Sequence, residues 1–562
     1  MTGTVPSGDT PSVDSTPMRR RASFPPMTTP YKWAIFGVLV LGTLLRLHGL
    51  AAGGLWYDEG VSISLARFVD IEGSLAEPRN IGEAPLHAVF TAGWQSAIGA
   101  ITNLDPTSPA SDFLLRLLPC LFSIGVIGLV FMNGRVLLRD NAAALAAAFL
   151  CALSPFQVYY AQELRIYSGL ALAALVAVYC LVRALEEDRA RFWAGLVIAE
   201  VVLLYMHFFA VWTVFFINVF FVLALPWYWR RLPKWIIAQA VVTVLVLPML
   251  YRMYLAFQDV QRITHPWYHF DLSWKTGLIT FKNFFAGYGP TTWAYWPLFV
   301  LAACFFVIGL YALWRRKPTA ILLLLLTAGP IAVNILLWRG AEFSFYHHRL
   351  YMVSGTVVFL VVGAGVRVLQ RPLFIGPVLG VFALCMAPLL DDLYNQRLHP
   401  VEEHSIAMYH KGDYRAAARY IREHRQPGDE VITASHFLVP SLRHYLGETP
   451  VRVSRHENAA ETMVKTQGRA DIFYRHGLMP HHLPAVAKEA DRLWFVVSNG
   501  VTFEYKPHTH EVREWLDNNW RRAAHAEFFA LEVSLYVRPG NAEDPEAPAG
   551  PDAAVESEVP AS

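Results

Sequence analysis

Residues 33–60 read WAIFGVLVLGTLLRLHGLAAGGLWYDEG. The first part, Trp33–Leu50, is an apolar run close to the roughly 20 residues that a helix needs to cross about 30 Å of hydrocarbon. It breaks at a pair of glycines and ends on two aromatic residues and two adjacent acids, Trp56-Tyr57-Asp58-Glu59. A membrane span that delivers carboxylates to one face is the motif on which the rest of the chain is built.

The composition agrees. Of 562 residues, 54% are hydrophobic and only 16% charged, with a mean hydropathy of +0.33, whereas soluble chains carry about 25% charged residues. Lys and Arg number 47 against 45 Asp and Glu, a net charge of +2, so no basic field points to nucleic acid. Five cysteines are too few for a disulfide scaffold. All of them fall in apolar segments, where they read as small buried hydrophobes.

About eleven apolar segments are long enough to be read as spans: Trp33–Leu50, Phe113–Leu138, Ala142–Val158, Ser168–Leu185, Phe192–Met206, Phe208–Leu225, Trp235–Leu255, Trp293–Trp314, Thr319–Trp338, Met352–Leu369 and Phe374–Leu390. Alternate connections carry Arg135/Arg139, Arg183/Arg189/Arg191, Arg230/Arg231/Lys234, Arg315/Arg316/Lys317 and Arg367/Arg371, on the side of the Arg19–Arg21 cluster. The bias of Lys and Arg toward the cytoplasm makes that side cytoplasmic. A plasma membrane location is expected, with the C-terminal region outside because the span count is odd. The division expected is a disordered cytoplasmic N-terminus (1–30), a transmembrane region (31–390), an extracytoplasmic α/β domain (391–538) and a disordered acidic tail (539–562). In the third of these, Tyr414–His424, Pro440–Leu446 and Thr509–Arg521 read as helices, and Glu430–Thr433, Leu493–Val497 and Phe528–Val537 as strands.

Ionisable residues gathered on one rim of a membrane protein are the place to look for function. Asp58 and Glu59 point about 100° apart on a helix, so one can serve as a base while the other caps a helix or pairs with arginine. Both also suit the first turn of a helix over Ser62–Phe68. Glu83 and His87, four apart, share a helical face, as a metal pair, a proton relay or a solvated face would. Gln162, Glu163, Arg165 and Tyr167 sit between two apolar segments and line a polar cavity. His207 closes a tight hairpin, with Glu200 seven residues earlier. His347-His348-Arg349-Leu350-Tyr351 opens the tenth segment with donors suited to a phosphate.

Four stretches in this order, Trp56-Tyr57-Asp58-Glu59-Gly60-Val61-Ser62, Ala84-Pro85-Leu86-His87, Ser154-Pro155 through Gln162-Glu163-Leu164-Arg165-Ile166-Tyr167, and Tyr205-Met206-His207-Phe208, resemble the signatures of polytopic glycosyltransferases of the C superfamily. Within it they are similar to the family-39-like group that includes relatives of the lipid A aminoarabinose transferase and the protein O-mannosyltransferases. Tyr414-Arg415-Ala416-Ala417-Ala418 and Gln426-Pro427-Gly428-Asp429 look like that group's extracytoplasmic domain. The resemblance implies a sugar donor on a polyprenyl phosphate, inverting transfer on the outer face, and a lipid, glycan or protein acceptor. It places Asp58 as the base with Glu59 in support. Arg165, Tyr167, His348, Arg349 and Tyr351 are implied for the donor phosphate, and Glu83, His87, Gln162, Glu163 and His207 for sugar or acceptor. Asp58, Glu83 and Glu163 are the candidates should a divalent ion be held. The chain departs from the group at Glu83-Ala84, where many relatives carry a cation. The competing reading is a flippase or transporter of lipid-linked saccharides, which would spread its polar residues through the bilayer midplane.

Overall fold

The computed structural model describes residues 26–67, 85–262, 272–341, 346–397, 411–433, 438–447, 451–452, 483–484, 490–498 and 506–539. Residues 1–25 and 540–562, most of the two ends expected to be disordered, lie outside the described residues, as does Glu83.

Each of the eleven apolar segments is helical. The membrane part runs α1 (Thr29–Leu47), α2 (Tyr57–Arg67), α3 (Pro85–Ile101), α4 (Pro109–Leu138), α5 (Asn141–Leu153), α6 (Pro155–Ala161), α7 (Tyr167–Glu187), α8 (Ala190–Met206), α9 (Ala210–Leu223), α10 (Leu232–Arg262), α11 (Trp274–Ala286), α12 (Thr292–Leu313), α13 (Lys317–Ala341), α14 (Met352–Arg367) and α15 (Pro372–Tyr394). Among the described residues seven helical stretches are long and apolar enough to cross a membrane, or eight if α5 and α6, bent by 60°, form one span. The difference from eleven has physical causes. Thr292–Arg339 counts once yet holds two of the segments, and α8 and α9, with 17 and 14 residues, are short.

Lipid gives no hydrophobic drive for helices to associate, so close packing of small residues does the work. The alanine-rich α5, NAAALAAAFLCAL, lies against the glycine-bearing α14. A Cβ at Gly363 would stand 2.6 Å from the Ala143 carbonyl oxygen, so only glycine permits this crossing. The bend between α5 and α6 has its own chemistry. Pro155 cannot continue the backbone ladder, and Ser154 caps α6 by accepting from the Gln157 amide at 3.2 Å. The freed carbonyls of Cys151 and Ala152 accept from Arg46 of α1 at 3.3 and 3.0 Å. Arg46 is fully buried and also donates to Ser123 Oγ at 2.8 Å.

Beyond α15 the chain forms α16 (Tyr414–His424), β1 (Glu430–Thr433), α17 (Val439–Leu446), β2 (Val451–Arg452), β3 (Arg492–Ser498), α18 (Lys506–Asn519), β4 (Arg521–Phe528) and β5 (Leu531–Val537). The sheet order is β2-β1-β3-β5-β4, parallel among the first three strands and antiparallel among the last three. β4 is an element the sequence reading does not contain. Its RRAAHAEF stretch forms an edge strand whose residues are mostly exposed or half-buried, so no apolar alternation marks it.

This domain is built into the rim of the bundle. Leu55, Trp56, Ile63 and Leu164 share one apolar core with Tyr414, Ile421, Leu442 and Trp494. Arg415 pairs with Asp112 of α4 at 2.7 Å, and Tyr445 donates to the same carboxylate at 2.9 Å while accepting from the Leu55 amide at 2.6 Å. Gly60 of α2 lets α17 approach so closely that a Cβ there would meet the Ser441 amide nitrogen at 2.6 Å.

Candidate active site

The site is assembled at the start of α2, where the two adjacent acids take different roles. Glu59 is fully buried. Arg116 of α4 grips both its oxygens, Nε to Oε1 at 2.8 Å and Nη2 to Oε2 at 2.7 Å, and spends its remaining donors on the carbonyls of Leu50, Gly53 and Gly54. Oε1 of Glu59 also accepts from the Leu164 amide at 2.9 Å. One ion pair thus fixes the loop before α2 and the segment that carries Glu163 and Arg165. Burial opposes ionisation of Glu59, but Arg116 outweighs it and holds the carboxyl below its usual range.

Asp58 faces the other way, between two guanidinium groups. It is ion-paired through Oδ2 with Arg349, and Arg165 Nε lies 3.8 Å from the same oxygen. Arg165 Nη1 donates at 3.1 Å to both the Asp58 carbonyl and Ser62 Oγ. Burial again raises the carboxyl's proton affinity, and Arg349 and then Arg165 overcome it, so Asp58 stays ionised. The ring of Tyr167 lies under both cations, 5.6 Å from Arg349 and 5.9 Å from Arg165, so it is a shared platform for them.

Glu163 has a different environment. It is 1% exposed, and the Lys411 ammonium, from the start of the α/β domain, lies 3.3 Å from Oε1. Neither oxygen accepts a hydrogen bond of good geometry among the described residues. Burial raises its pKa. Lys411 opposes that rise, whereas Glu59 and Asp58 add to it. Lys411 also stands 4.4 Å from the Tyr159 ring centroid. Beside this pair is a pocket of about 60 Å³ whose lining includes Gly49, Tyr159, Gln162, Tyr394, Gln396 and Lys411.

The other expected residues separate into two groups. His87 Nε2 lies 3.3 Å from Ser62 Oγ, and both His87 and His207 are pushed down to about 3 by burial and by Arg165. They border the arginines as neutral rings. Tyr167, His348 and Tyr351 are buried; Tyr167 carries Arg349 on its ring, while His348 and Tyr351, from the same turn as Arg349, both pack on Tyr346, and His348 also stacks on Tyr288. Asn283 of α11 donates to His348 Nδ1 at 2.6 Å, while His348 Nε2 and Tyr351 Oη have no hydrogen-bond partner among the described residues. Buried polar atoms left over in this way mark a place where a ligand is received. Gln162 has a structural task, donating to the carbonyls of Arg46 and His48 at 3.0 and 2.6 Å at the end of α1.

Of the three candidates for a divalent ion, Glu83 lies outside the described residues, and the surroundings of Asp58 and Glu163 do not suit one. Asp58 already sits between two guanidiniums and Glu163 against an ammonium, and among the described residues no three His, Cys, Asp or Glu side chains converge.

Arg116, Ser62, Lys411 and Arg46 support the cluster but are not singled out as site residues by the sequence reading. The two arginines carried a readable signal, since each is a charge within an apolar segment. Lys411 had none, because it reaches Glu163 over 248 residues of chain (411 − 163).

No family model and no curated protein matches this sequence. Solved structures do match in shape. ArnT from Cupriavidus metallidurans in the apo state superposes with a TM-score of 0.58 at 13% identity, over 90% of this chain and 98% of that one. The same protein bound to undecaprenyl phosphate gives 0.55 at 13%, over 91% and 98%. The archaeal oligosaccharyltransferase AglB from Archaeoglobus fulgidus, in complex with an inhibitory peptide and a dolichol-phosphate, gives 0.51 at 12%, over 83% and 69%. This chain has the fold that ArnT and AglB share. In that frame the Asp58, Arg165 and Arg349 cluster lies where α2, the turn before α7 and the turn before α14 meet at one end of a multi-pass bundle.

Proposed function

We propose that the protein transfers a sugar from a polyprenyl-phosphate donor to a lipid, glycan or protein acceptor at the outer face of a bacterial inner membrane. The observation that carries this reading is the placement of Arg165 and Arg349 around Asp58 on a shared Tyr167 platform. Guanidinium groups present planar, paired donors that match a phosphate. A solved protein of the same fold binds undecaprenyl phosphate.

In this reading the two arginines receive the negative charge that develops on the departing lipid phosphate, with His348 and Tyr351, from the same turn as Arg349, as further donors. The acceptor hydroxyl gives its proton to a rim carboxylate, of which Asp58 is the one the sequence resemblance implies. A single displacement inverts the anomeric carbon. Glu59 and Arg116 touch no substrate and hold the frame. The arginine-bearing connections expected to be cytoplasmic leave this cluster outside.

The test uses purified full-length protein in detergent, where a transporter has no gradient to relieve. A panel of undecaprenyl-phosphate-linked hexoses and pentoses is supplied with a detergent extract of bacterial membranes as acceptor source. Release of undecaprenyl phosphate with sugar appearing on an acceptor supports the reading. No release across the panel overturns it.

A further inference from the structure

The end of the bundle remote from the active site carries one short motif twice. Trp229-Arg230-Arg231-Leu232-Pro233 joins α9 to α10, and Trp314-Arg315-Arg316-Lys317-Pro318 joins α12 to α13. Each Trp-Arg-Arg stretch is a single 3-10 turn. Each proline is the second residue of the helix that follows, where a missing amide costs no hydrogen bond. The distance from the active site is set by α4, which runs from Arg116 to Leu138 over 22 residues (138 − 116), about 33 Å of helix. That is close to the hydrocarbon thickness of a bilayer.

Within each turn the two arginines differ. The second is tied to the protein. Arg231 pairs with Asp188 at 2.5 Å, and its Nε donates to the Leu185 carbonyl of α7 at 3.3 Å. Arg316 Nη1 donates to the Leu138 carbonyl of α4 at 2.6 Å. Each thus satisfies the C-terminus of a neighbouring helix, whose last carbonyls have no partner within the helix. The first arginine is not held in this way. Arg230 and Arg315 are exposed and have no acidic partner among the described residues. Arg230 lies 5.4 Å from the ring centroid of its own Trp229. Trp229 and Trp314 are 63% and 60% exposed, and a tryptophan so placed at the end of a span belongs at headgroup level.

The charge around the turns is one-sided. The acids at this end of the described structure are already matched: Asp188 by Arg231 and Lys234, Glu186 by Arg139 at 2.8 Å, Asp140 by Arg367 at 2.7 Å, and Glu187 by Arg183 and Arg189. Arg139 follows Leu138 and Glu186 follows Leu185 in sequence, so the Arg139–Glu186 pair links the two helix ends on which the turns are anchored. Arg230 and Arg315 remain as surplus positive charge, each beside an exposed indole. A guanidinium offers paired donors to a phosphate. A zwitterionic lipid brings its own cation to that phosphate, whereas an anionic one does not, so the surplus favours the anionic lipid.

We propose that the two Trp-Arg-Arg turns bind anionic phospholipid headgroups in the leaflet opposite the active site. Arg230 and Arg315 contact the phosphate, and Trp229 and Trp314 lie against the glycerol and the upper acyl chains. Arg231 and Arg316 are positioning residues that fix each turn on a neighbouring helix end. The proposal does not rest on the transferase reading.

The experiment uses the full-length protein, purified in detergent and stripped of lipid, with phosphatidylglycerol, phosphatidylcholine and inorganic phosphate as probes. Native mass spectrometry reads the lipids retained and their apparent affinity. Wild type is to bind phosphatidylglycerol at least about fivefold more tightly than phosphatidylcholine, the contribution of one basic residue per site at an anionic surface. R230Q/R315Q is to lose that preference, with phosphatidylcholine binding and the melting temperature without lipid both unchanged. R230K/R315K, which retains the charge, is to keep most of it. R231Q/R316Q is to melt lower without lipid, because helix-end carbonyls and Asp188 lose their partner. Equal preference in wild type and R230Q/R315Q, or none in wild type, overturns the proposal. Inorganic phosphate that displaces phosphatidylglycerol at comparable concentration makes the turns sites for a free anion and overturns the lipid reading. Should R230Q/R315Q fail to accumulate, the salt dependence of wild type decides. An exposed charge contact is screened, so a preference unchanged between about 0.05 and 0.5 M salt counts against the two arginines.

Discussion

Arg116 and Glu59, 57 residues apart, form a two-point ion pair that is sealed from water, with side chains 4% and 0% exposed. Its remaining donors and acceptors hold the loop before α2, at Leu50, Gly53, Gly54 and Trp56, and the Leu164 amide. Such a pair is weak support for stability compared with an apolar substitute, but breaking it is costly because a buried charge is left alone.

Glu59→Gln is therefore to destabilise the protein by about 3–5 kcal/mol, read as a lowered melting temperature in detergent. The pH dependence has a definite sign. The folded pKa of Glu59 is depressed, so its contribution is complete above the ordinary glutamate value of about 4.3 and is lost as pH falls through its lower folded value. A variant as stable as wild type at pH 7 would show that the pair contributes nothing.

Gly60 of the same motif supports docking. A side chain at this position meets the Ser441 amide and the Pro440 carbonyl carbon at 2.6 and 2.8 Å, both backbone, so relief requires α17 to move. Gly60→Val is to loosen the α/β domain, seen as faster proteolysis between α15 and α16 than in wild type. Gly128→Val is the control, because a Cβ at Gly128 meets nothing within 4 Å.

How much of this was legible beforehand differs by residue, for physical reasons. Apolar runs placed the helices of the membrane part because burial in lipid forces composition over whole segments. Asp58, Arg165 and Arg349 could be singled out since a charge at a membrane rim is costly without a purpose. The division of labour between Asp58 and Glu59 was open, because adjacent residues differ only by the partners that the fold brings, here Arg349 and Arg116. Lys411 and the edge strand Arg521–Phe528 were not legible at all. The first acts through a tertiary contact, and the second has a side-chain pattern set by an exposed sheet edge.

Arg349→Lys retains the charge but loses the planar fork and the stacking on Tyr167. Donor KM is to rise about 10-fold or more, equivalent to roughly 1.4 kcal/mol, with inhibition by free undecaprenyl phosphate weakened in parallel. Equal KM and inhibition constants in the lysine variant would remove Arg349 from the phosphate site.

His87 and His207 predict a loss of stability in mild acid. In the fold both are held down to about 3, by burial first and then by Arg165. In the unfolded chain they take up protons below about 6.5. Between those values the unfolded state binds more protons, so stability rises with pH in this window and falls on acidification. Glu163, with a raised proton affinity in the fold, contributes with the opposite sign, and Asp58 and Glu59 act only lower down. The double variant His87→Gln, His207→Asn separates these terms. The glutamine amide can stand in for Nε2 toward Ser62, and the asparagine oxygen for Nδ1, which accepts from the Phe209 amide at 2.9 Å. Its melting temperature, followed by tryptophan fluorescence, is to fall less steeply than wild type's between about pH 6.5 and pH 4. Parallel curves for the two proteins would mean that the two rings are not held neutral in the fold.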